Sequence, residues 1–303
     1  MEKNGWSDHM LKRKNVFILI LIACLLAGVF YLFAATGFNN FTVYQFPPQS
    51  STQMMGYMLK TTGNKIILID GGTHSDSDYL KEQIKNAGGH VDLWIITHPH
   101  SDHIDAVTDV LLDKDIRVDL LYGSLPDRSF IEQYEPAYLP SFDDFNKAIQ
   151  GSKAYKDINI NDTISIDGLK ITFLAINNPE LVSNPLNNSS VVFKVSSSSK
   201  SILFLGDAGV DEGNKIMKAY PREILKSDYV QMAHHGQAGV SKEFYKLVDP
   251  DYCLWPTPKW LWDNDNGGGY NSGSWDTINV RKWMDEIGVK ENYVSYNGLI
   301  IIK

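Results

Sequence analysis

The stretch Thr-His-Pro-His-Ser-Asp-His at residues 97–103 places three histidines and an aspartate within six positions. It follows an apolar run, 91–96, that predicts a buried strand, and it precedes a helical pattern over 104–112. Four metal-binding side chains on one strand-to-helix turn suit a divalent cation far better than they suit a hydrophobic core. Imidazole together with carboxylate favours zinc or a similar first-row ion. The stretch therefore predicts a metal site.

Other strands of the sequence end in the same kind of side chain. Apolar runs at 65–69, 201–205 and 229–232 are each followed closely by acidic or imidazole groups, which are Asp70, Asp207, and the adjacent pair His234 and His235. Sheet scaffolds place functional residues at strand ends, so we expect these groups to meet near residues 98–103. Taken alone, Asp70 predicts a structural role, as an acceptor for backbone N–H groups of neighbouring loops.

The rest of the chain after residue 40 alternates predicted strands and helices. The predicted strands cover 41–46, 54–61, 65–70, 91–96, 117–123, 163–166, 169–176, 191–195, 201–205, 229–232, 293–296 and 299–302. The predicted helices cover 77–86, 104–112, 140–150, 211–219 and 241–248. Two β-rich halves with helices between them predict an α+β fold, in which two sheets pack face to face with helices outside.

The first forty residues predict a membrane segment. The basic cluster Lys12-Arg13-Lys14 precedes twenty uncharged residues, 16–35. As a helix these span roughly 30 Å, the thickness of a bilayer core, and the basic cluster should stay in the cytoplasm. We therefore expect a short cytoplasmic tail over 1–15, a transmembrane signal anchor over 16–36, and an extracellular domain over 37–303. Signal cleavage after Ala34-Ala35, which would give a secreted protein, is the alternative.

Composition narrows the chemistry. Cys24 and Cys253 are the two cysteines, so the outer domain has no internal disulfide and no cysteine-rich zinc site. The chain carries a net charge of −8, and beyond residue 40 it holds 24 basic and 34 acidic residues, a net charge of −10. This balance argues against a non-specific grip on a long polyanion but leaves a local basic groove open.

Together, these motifs resemble the metallo-β-lactamase fold superfamily over most of residues 41–303. They are Asp70, then His98-x-His100-x-Asp102-His103, then Gly206-Asp207, then a histidine after a late strand. The resemblance implies a four-layer αββα sandwich with one or two metal ions at one edge. It further implies a first metal on two histidines, a second metal on one aspartate and two histidines, and one bridging aspartate. These are His98 and His100, then Asp102, His103 and His234, and finally Asp207.

Of the two adjacent histidines, we expect His234 to be the ligand because it comes first after the strand. His235 would then lie behind the ligands or donate a proton.

One feature departs from the family pattern. The family has a further first-metal histidine between the two middle motifs, and this chain has no histidine between His103 and Asp207. It has Asn187-Asn188-Ser189-Ser190 there. This Asn-x-Ser variant, with a later His-His-Gly, resembles the hydrolase-like domain of competence DNA-uptake channel proteins. Asn188 is then expected at the missing position, where an amide binds metal more weakly than imidazole and makes β-lactam hydrolysis less expected.

The resemblance predicts a metal-dependent hydrolase that uses a metal-bound hydroxide, with Asp102 and His235 as catalytic residues. Two zinc ions per chain are expected, with manganese as an alternative. The expected substrates are phosphoesters, in nucleic acid or in a phosphate-bearing wall polymer. Hydrolysis of a carboxylic ester or lactone, and a non-enzymatic surface module with a degenerate site, are the alternatives. The sequence predicts attachment to the membrane through residues 16–36, and it indicates no specific protein partner.

A tryptophan-rich loop follows the last predicted helix. Residues 254–275 contain four of the seven tryptophans, together with Tyr270. Such a loop beside a metal site predicts either an aromatic wall for the substrate or aromatic packing of the loop onto the domain.

Overall fold

The computed structural model describes residues 40–150 and 154–303, together with Ile22 and Cys24. Contacts divide the chain into two units, Met1–Asn39 and Asn40–Lys303. Apart from Ile22 and Cys24, the predicted tail over 1–15 and the predicted anchor over 16–36 lie outside the described residues. Within the part of the chain that is described, no helix combines the length and the hydropathy needed to cross a membrane.

The described residues form two seven-stranded sheets and a short two-stranded one. The strands are β1 Phe41–Gln45, β2 Tyr57–Thr61, β3 Ile66–Ile69, β4 His90–Val91, β5 Leu93–Ile95, β6 Arg117–Val118, β7 Leu121–Gly123, β8 Tyr155–Asp157, β9 Thr163–Ile166, β10 Leu169–Ala175, β11 Val192–Ser196, β12 Ser201–Phe204, β13 Tyr229–Gln231, β14 Tyr252–Trp255, β15 Glu291–Val294 and β16 Ile300–Ile302. The first sheet has the order β16-β1-β2-β3-β5-β7-β8, the second has the order β15-β14-β13-β12-β11-β10-β9, and β4 pairs with β6.

The helices lie between the strands in sequence. Those described are α1 Ser77–Asn86, α2 Ser101–Leu111, α3 Arg128–Tyr134, α4 Leu139–Gln150, α5 Val210–Ala219, α6 Arg222–Leu225, α7 Lys242–Val248, α8 Lys259–Trp262 and α9 Thr277–Ile287. Short 3₁₀ turns lie at 74–76, 136–138, 187–189, 233–236 and 295–297.

Side-chain alternation along the strands builds a helix–sheet–sheet–helix sandwich. Ile67 of β3 belongs to the core between the sheets, where Phe193 and Phe204 stack at 5.1 Å. Leu68, the next residue of β3, faces the opposite way and packs with α1, α2 and α4. Leu203 of β12 likewise packs with α5, α7 and α9 on the outside of the second sheet. Because each central strand is covered on both faces, it reads as a continuous apolar run.

The sequence analysis missed several short elements and one longer helix. Strands β8 and β14 and helices α3, α6, α8 and α9 were not predicted, and α2 begins at Ser101 rather than at residue 104. The earlier start places Asp102 in the first turn of a helix, where the helix dipole favours a carboxylate. The polar 97–103 stretch hid this start, because the apolar periodicity of α2 begins only at Ile104.

Candidate metal centre

The side chains of the centre come from the carboxyl ends of four strands. In the first sheet, β3 and β5 run parallel as neighbours, and they lead into Asp70 and into the His98–His103 turn. In the second sheet, β12 and β13 run parallel as neighbours, and they lead into Asp207 and into the 234–235 pair. Parallel neighbours end at the same edge, so each sheet contributes two polar strand ends to one place.

The first donor group joins two histidines. His98 Nε2 lies 3.0 Å from His100 Nδ1 and 3.9 Å from an Asp207 carboxylate oxygen. The other ring nitrogen of His100 lies 2.8 Å from a carboxylate oxygen of Glu135, and its ring lies 4.0 Å from that of Tyr138. A carboxylate behind a histidine fixes the ring for metal binding, which is the role Glu135 can play here.

The second donor group consists of Asp102, His103 and His235. His235 Nε2 lies 3.1 Å from an Asp102 oxygen and 3.4 Å from Asp207 Oδ2, and His103 Nε2 also lies 3.4 Å from Asp207 Oδ2. Ligand atoms of Asp102, His103 and His235 lie within 4.8 Å of one another, as do those of His98, His103 and Asp207. His103 therefore belongs to both of these sets of three, and Asp207 lies beside both donor groups.

The chemistry of this donor set fits a divalent cation. His103 Nε2, His235 Nε2 and Asp207 Oδ1 are buried without a hydrogen-bond partner. Buried polar atoms are otherwise almost always paired, so two unpaired imidazole nitrogens beside a carboxylate with an unpaired oxygen indicate ligands for a positive ion. A third group, His90, Asp92 and Asp119, differs: Lys65 pairs with Asp92 and Arg117 pairs with Asp119.

Contacts behind the donors hold their rings in place. Asp70 is fully buried, and its carboxylate accepts hydrogen bonds from the Thr97 backbone N–H at 2.8 Å and from the Thr97 hydroxyl at 2.6 Å. The same carboxylate lies 2.8 Å from His103 Nδ1. His235 Nδ1 lies 2.9 Å from the Pro256 carbonyl oxygen. Each contact leaves the Nε2 atom as the one that faces the centre.

An unusual backbone conformation directs the side chains of the two adjacent histidines to different places. His234 and His235 both have left-handed φ values, 52° and 54°, which non-glycine residues rarely adopt. This turn sends His235 inward, whereas His234 is part-exposed, with Nε2 4.0 Å from Asp207 Oδ2 and 3.3 Å from Asn187 Nδ2. The structure thus groups His235, rather than the expected His234, with Asp102 and His103.

Asn188 was expected to be a metal ligand, but its side chain does not face the centre. Its side-chain oxygen accepts the Gly209 N–H at 3.1 Å and the Glu212 N–H at 3.2 Å, and its amide donates to the Ser183 carbonyl at 2.6 Å. The side chain is therefore fully hydrogen-bonded to backbone groups, two of which lie at the start of α5. Its neighbour Asn187 lines the cleft instead, with a buried Oδ1 that has no partner.

Ser190 completes the support from this segment. Its hydroxyl oxygen accepts the Asp207 backbone N–H at 3.0 Å, so the Asn-x-Ser pattern fixes the loop that carries Asp207. No sequence signal indicated Glu135, since a lone glutamate has no informative spacing, whereas Trp260 belongs to the tryptophan-rich loop for which an aromatic wall was one expectation. With Asn187 they line a cleft of about 450 Å³ that opens onto Asp102, Asp207 and His234.

The buried carboxylates control protonation at the centre. Burial lowers the pKa of His235, but the Asp207 and Asp102 carboxylates outweigh it and raise that pKa to about 10. Burial likewise lowers the pKa of His103, and the Asp207 and Asp70 carboxylates raise it well above its usual range. Burial, reinforced by the neighbouring His103 and His100, holds the pKa of His98 well below its usual range. Without a cation, the carboxylates therefore favour the protonated forms of His103 and His235.

The family follows from a match over most of this fold. The family model of the metallo-beta-lactamase superfamily matches residues 56–252. The chain belongs to the metallo-beta-lactamase superfamily. This confirms the broader resemblance drawn from the motifs and makes the chain a metal-dependent hydrolase of that superfamily. The narrower resemblance to competence DNA-uptake channel proteins is not shown by these comparisons.

Solved structures share the fold at low sequence identity. The metallo-beta-lactamase fold protein YhfI from Bacillus subtilis has a TM-score of 0.55 at 14% identity, over 88% of this chain and 100% of that one. CmlA, a diiron beta-hydroxylase from Streptomyces venezuelae, has a TM-score of 0.53 at 13% identity, over 88% of this chain and 54% of that one. Such identities show the fold alone. No curated protein sequence matches this chain.

Metal binding should release protons at pH 7. His103 and His235 must each lose a proton before their Nε2 atoms can bind a cation, because their folded-state pKa values are raised. The apparent affinity should therefore rise with pH up to about 10, by about tenfold per unit for each proton released. Calorimetric titration with zinc, in buffers of different ionisation enthalpy, measures the protons directly. A binding enthalpy that is the same in every buffer would contradict this prediction.

Asn188→Ala should weaken the fold rather than remove a metal ligand. The substitution leaves the buried Gly209 and Glu212 N–H groups without an acceptor, which should lower the free energy of unfolding by about 1–3 kcal/mol. Urea unfolding measures this change, and metal content per folded chain should stay at the wild-type value. Asn187→Ala is the matched control, expected to change stability less because the Asn187 amide faces the cleft. Loss of a metal ion from folded Asn188→Ala would refute this assignment.

Proposed function

We propose that the chain is a phosphoester hydrolase that uses two divalent cations, zinc in the first instance, in an outward-facing domain anchored to the membrane through residues 16–36. The observation that carries the reaction is the Asp207 carboxylate. It lies within 4.0 Å of ring nitrogens from four histidines, and one of its own oxygens has no partner. A carboxylate shared between two donor groups is the arrangement that bridges two adjacent cations.

The first cation is assigned to the first donor group. His98 Nε2 and His100 Nδ1 already face one another at 3.0 Å, and Asp207 lies 3.9 Å from His98. His234, which reaches Asp207 from the cleft side, is the third imidazole of this group. In this assignment His234 replaces the histidine that the family pattern places between His103 and Asp207.

The second cation is assigned to the second donor group. Asp102, His103 and His235 supply one oxygen and two nitrogens, and Asp207 supplies the shared oxygen. Both nitrogens of His235 are then committed, one to the cation and one to the Pro256 carbonyl. This argues against His235 as the proton donor to the leaving group. The leaving group takes its proton from solvent through the open cleft.

When bound, the two cations would activate water near neutral pH and neutralise charge on the reacting phosphoryl group. The protein's own contribution is to orient the donors. Asp70 holds His103 by its Nδ1 atom, and Glu135 holds His100 by its Nε2 atom. Asn187 lines the cleft beside His234, where its Nδ2 atom donates to Asn184 Oδ1 at 2.9 Å and lies 3.3 Å from His234 Nε2.

A carboxylic ester or lactone is the second candidate substrate. The same cations would polarise a carbonyl oxygen, and apart from Glu135 the cleft wall beyond them offers hydroxyl and amide groups, those of Thr52, Gln53 and Asn184. A lactone assay run beside the phosphodiester assay separates the two candidates.

Removing a donor from the second group should abolish phosphodiester hydrolysis. Mutating a residue that supports a metal ligand lowers metal affinity or activity by about 10–100-fold. Loss of a ligand itself, in Asp102→Ala or His235→Ala, should therefore reduce turnover by about 100-fold or more. The measurement is metal content and hydrolysis of a phosphodiester reporter after zinc or manganese loading, with two ions expected in the wild type and fewer in each variant. His90→Ala is the matched control and should keep both ions and full activity. Full turnover by His235→Ala, or lactone cleavage alone in the wild type, would contradict the proposal.

The anchor should keep the domain on the outer face of the cell membrane. Alkaline carbonate should leave the full chain in the membrane fraction, and protease added to intact cells should cleave the 37–303 domain. A variant that carries four aspartates within 16–35 should lose membrane retention. A mature chain in the medium whose sequence starts just after Ala35 would instead establish the secreted form.

A further inference from the structure

The cleft beside the metal centre has a neutral wall. Beyond the centre's own side chains and Glu135, the lining is made by hydroxyl, amide and aromatic groups: Thr52, Gln53, Thr73, Tyr138, Asn184 and Trp260. Among the described residues that line the cleft there is no lysine and no arginine. Among the described lining residues, the cations that the centre would hold are therefore the main positive charge offered to a substrate.

Neighbouring lysines are already engaged elsewhere. Lys259 precedes Trp260 in sequence, but its ammonium group pairs with Asp263 and lies over the Tyr296 ring. Lys242, beyond the 234–236 turn, pairs with Glu286. The local basic groove that the sequence left open is thus absent from the described wall of this cleft.

This distribution of charge selects among phosphoesters. A nucleic acid presents a phosphate at every step, and proteins hold such a chain by pairing successive phosphates with lysine or arginine. Two adjacent cations neutralise one phosphoryl group, whereas the phosphates on either side would lie against the neutral wall or the Glu135 carboxylate. The net charge of −10 beyond residue 40 adds long-range repulsion. A polyanion is therefore disfavoured at this cleft.

Trp260 offers a fixed surface for an uncharged neighbour of the phosphate. Its indole N–H donates to the Ser51 carbonyl at 2.7 Å, and its ring packs against Trp275 at 4.8 Å. These contacts fix the orientation of a ring that borders the cleft. An aromatic ring held in this way binds the apolar face of a sugar, base or polyol without requiring charge.

From this wall we infer that the substrate is an isolated phosphodiester whose flanking groups carry no negative charge, with one flanking group packed against Trp260. The inference rests on the proposed phosphoester hydrolysis and narrows it, because it excludes nucleic acid strands as the preferred substrate.

The test compares one bond in two settings, with the full-length, metal-loaded protein. Dithymidine monophosphate holds a single phosphodiester, and decathymidylate holds the same bond between neighbouring phosphates. Glycerophosphoglycerol serves as the polyol arm. The value of kcat/KM per bond should be at least about tenfold higher for dithymidine monophosphate or glycerophosphoglycerol than for decathymidylate, and lowering the salt should not reverse the order. Preference for decathymidylate, growing at low salt, would overturn the inference but not the proposed reaction. Cleavage of none of the three would overturn both.

Two variants test the wall itself. Trp260→Ala should raise KM for the preferred substrate by about tenfold, with a smaller change in kcat. Tyr270→Ala is the control, since this aromatic residue of the same loop is 68% exposed and does not line the cleft. Thr52→Lys adds a cation to the wall and should increase cleavage of decathymidylate at low salt. An unchanged KM in Trp260→Ala, or decathymidylate cleavage that ignores the added lysine, would contradict the inference.

Discussion

The buried Asp207 carboxylate is the constraint on which the rest of the centre depends. The residue is 1% exposed, and a carboxylate without counter-charge at such depth would cost several kcal/mol. Four imidazoles surround it, from His98, His103, His234 and His235, at 3.4–4.0 Å. Protonated imidazoles can balance the charge, and divalent cations can balance it more fully. The same electrostatic need therefore brings the histidines together and makes the site competent for metal.

The sandwich is what allows both halves of the centre to meet. His98 and His103 follow β5 of the first sheet, whereas Asp207 and His235 follow β12 and β13 of the second. Neither sheet alone carries enough donors for two ions. The core between the sheets, with its buried aromatic residues, fixes the distance between these strand ends. It also sustains the two left-handed residues at 234 and 235, since such strain persists only where the surrounding structure determines the backbone.

The sequence predicted much of this, because the information is local. The 97–103 motif and the strand-end aspartates need only a run of apolar residues followed by polar ones, and the fold class follows from their repetition. What it could not predict depends on backbone direction and long-range contact. The reversed order of His234 and His235 follows from left-handed φ values, and Asn188 faces away because backbone N–H groups of α5 attract its side chain. Glu135 contacts His100 although the two residues lie 35 positions apart, and no sequence pattern indicates this pairing.

The departure from the family pattern is thereby explained by a division of labour. In the segment where the pattern has a histidine, Asn188 and Ser190 bind backbone and hold the Asp207 loop, and Asn187 faces the cleft. In the proposed assignment, His234 supplies the missing imidazole from the other side of the centre, where consecutive left-handed residues direct the side chains of His234 and His235 to different donor groups. A regular strand would also separate neighbouring side chains, but it would send one of them to the far face of the sheet. The strained turn keeps both beside Asp207, so two adjacent histidines would serve two donor groups.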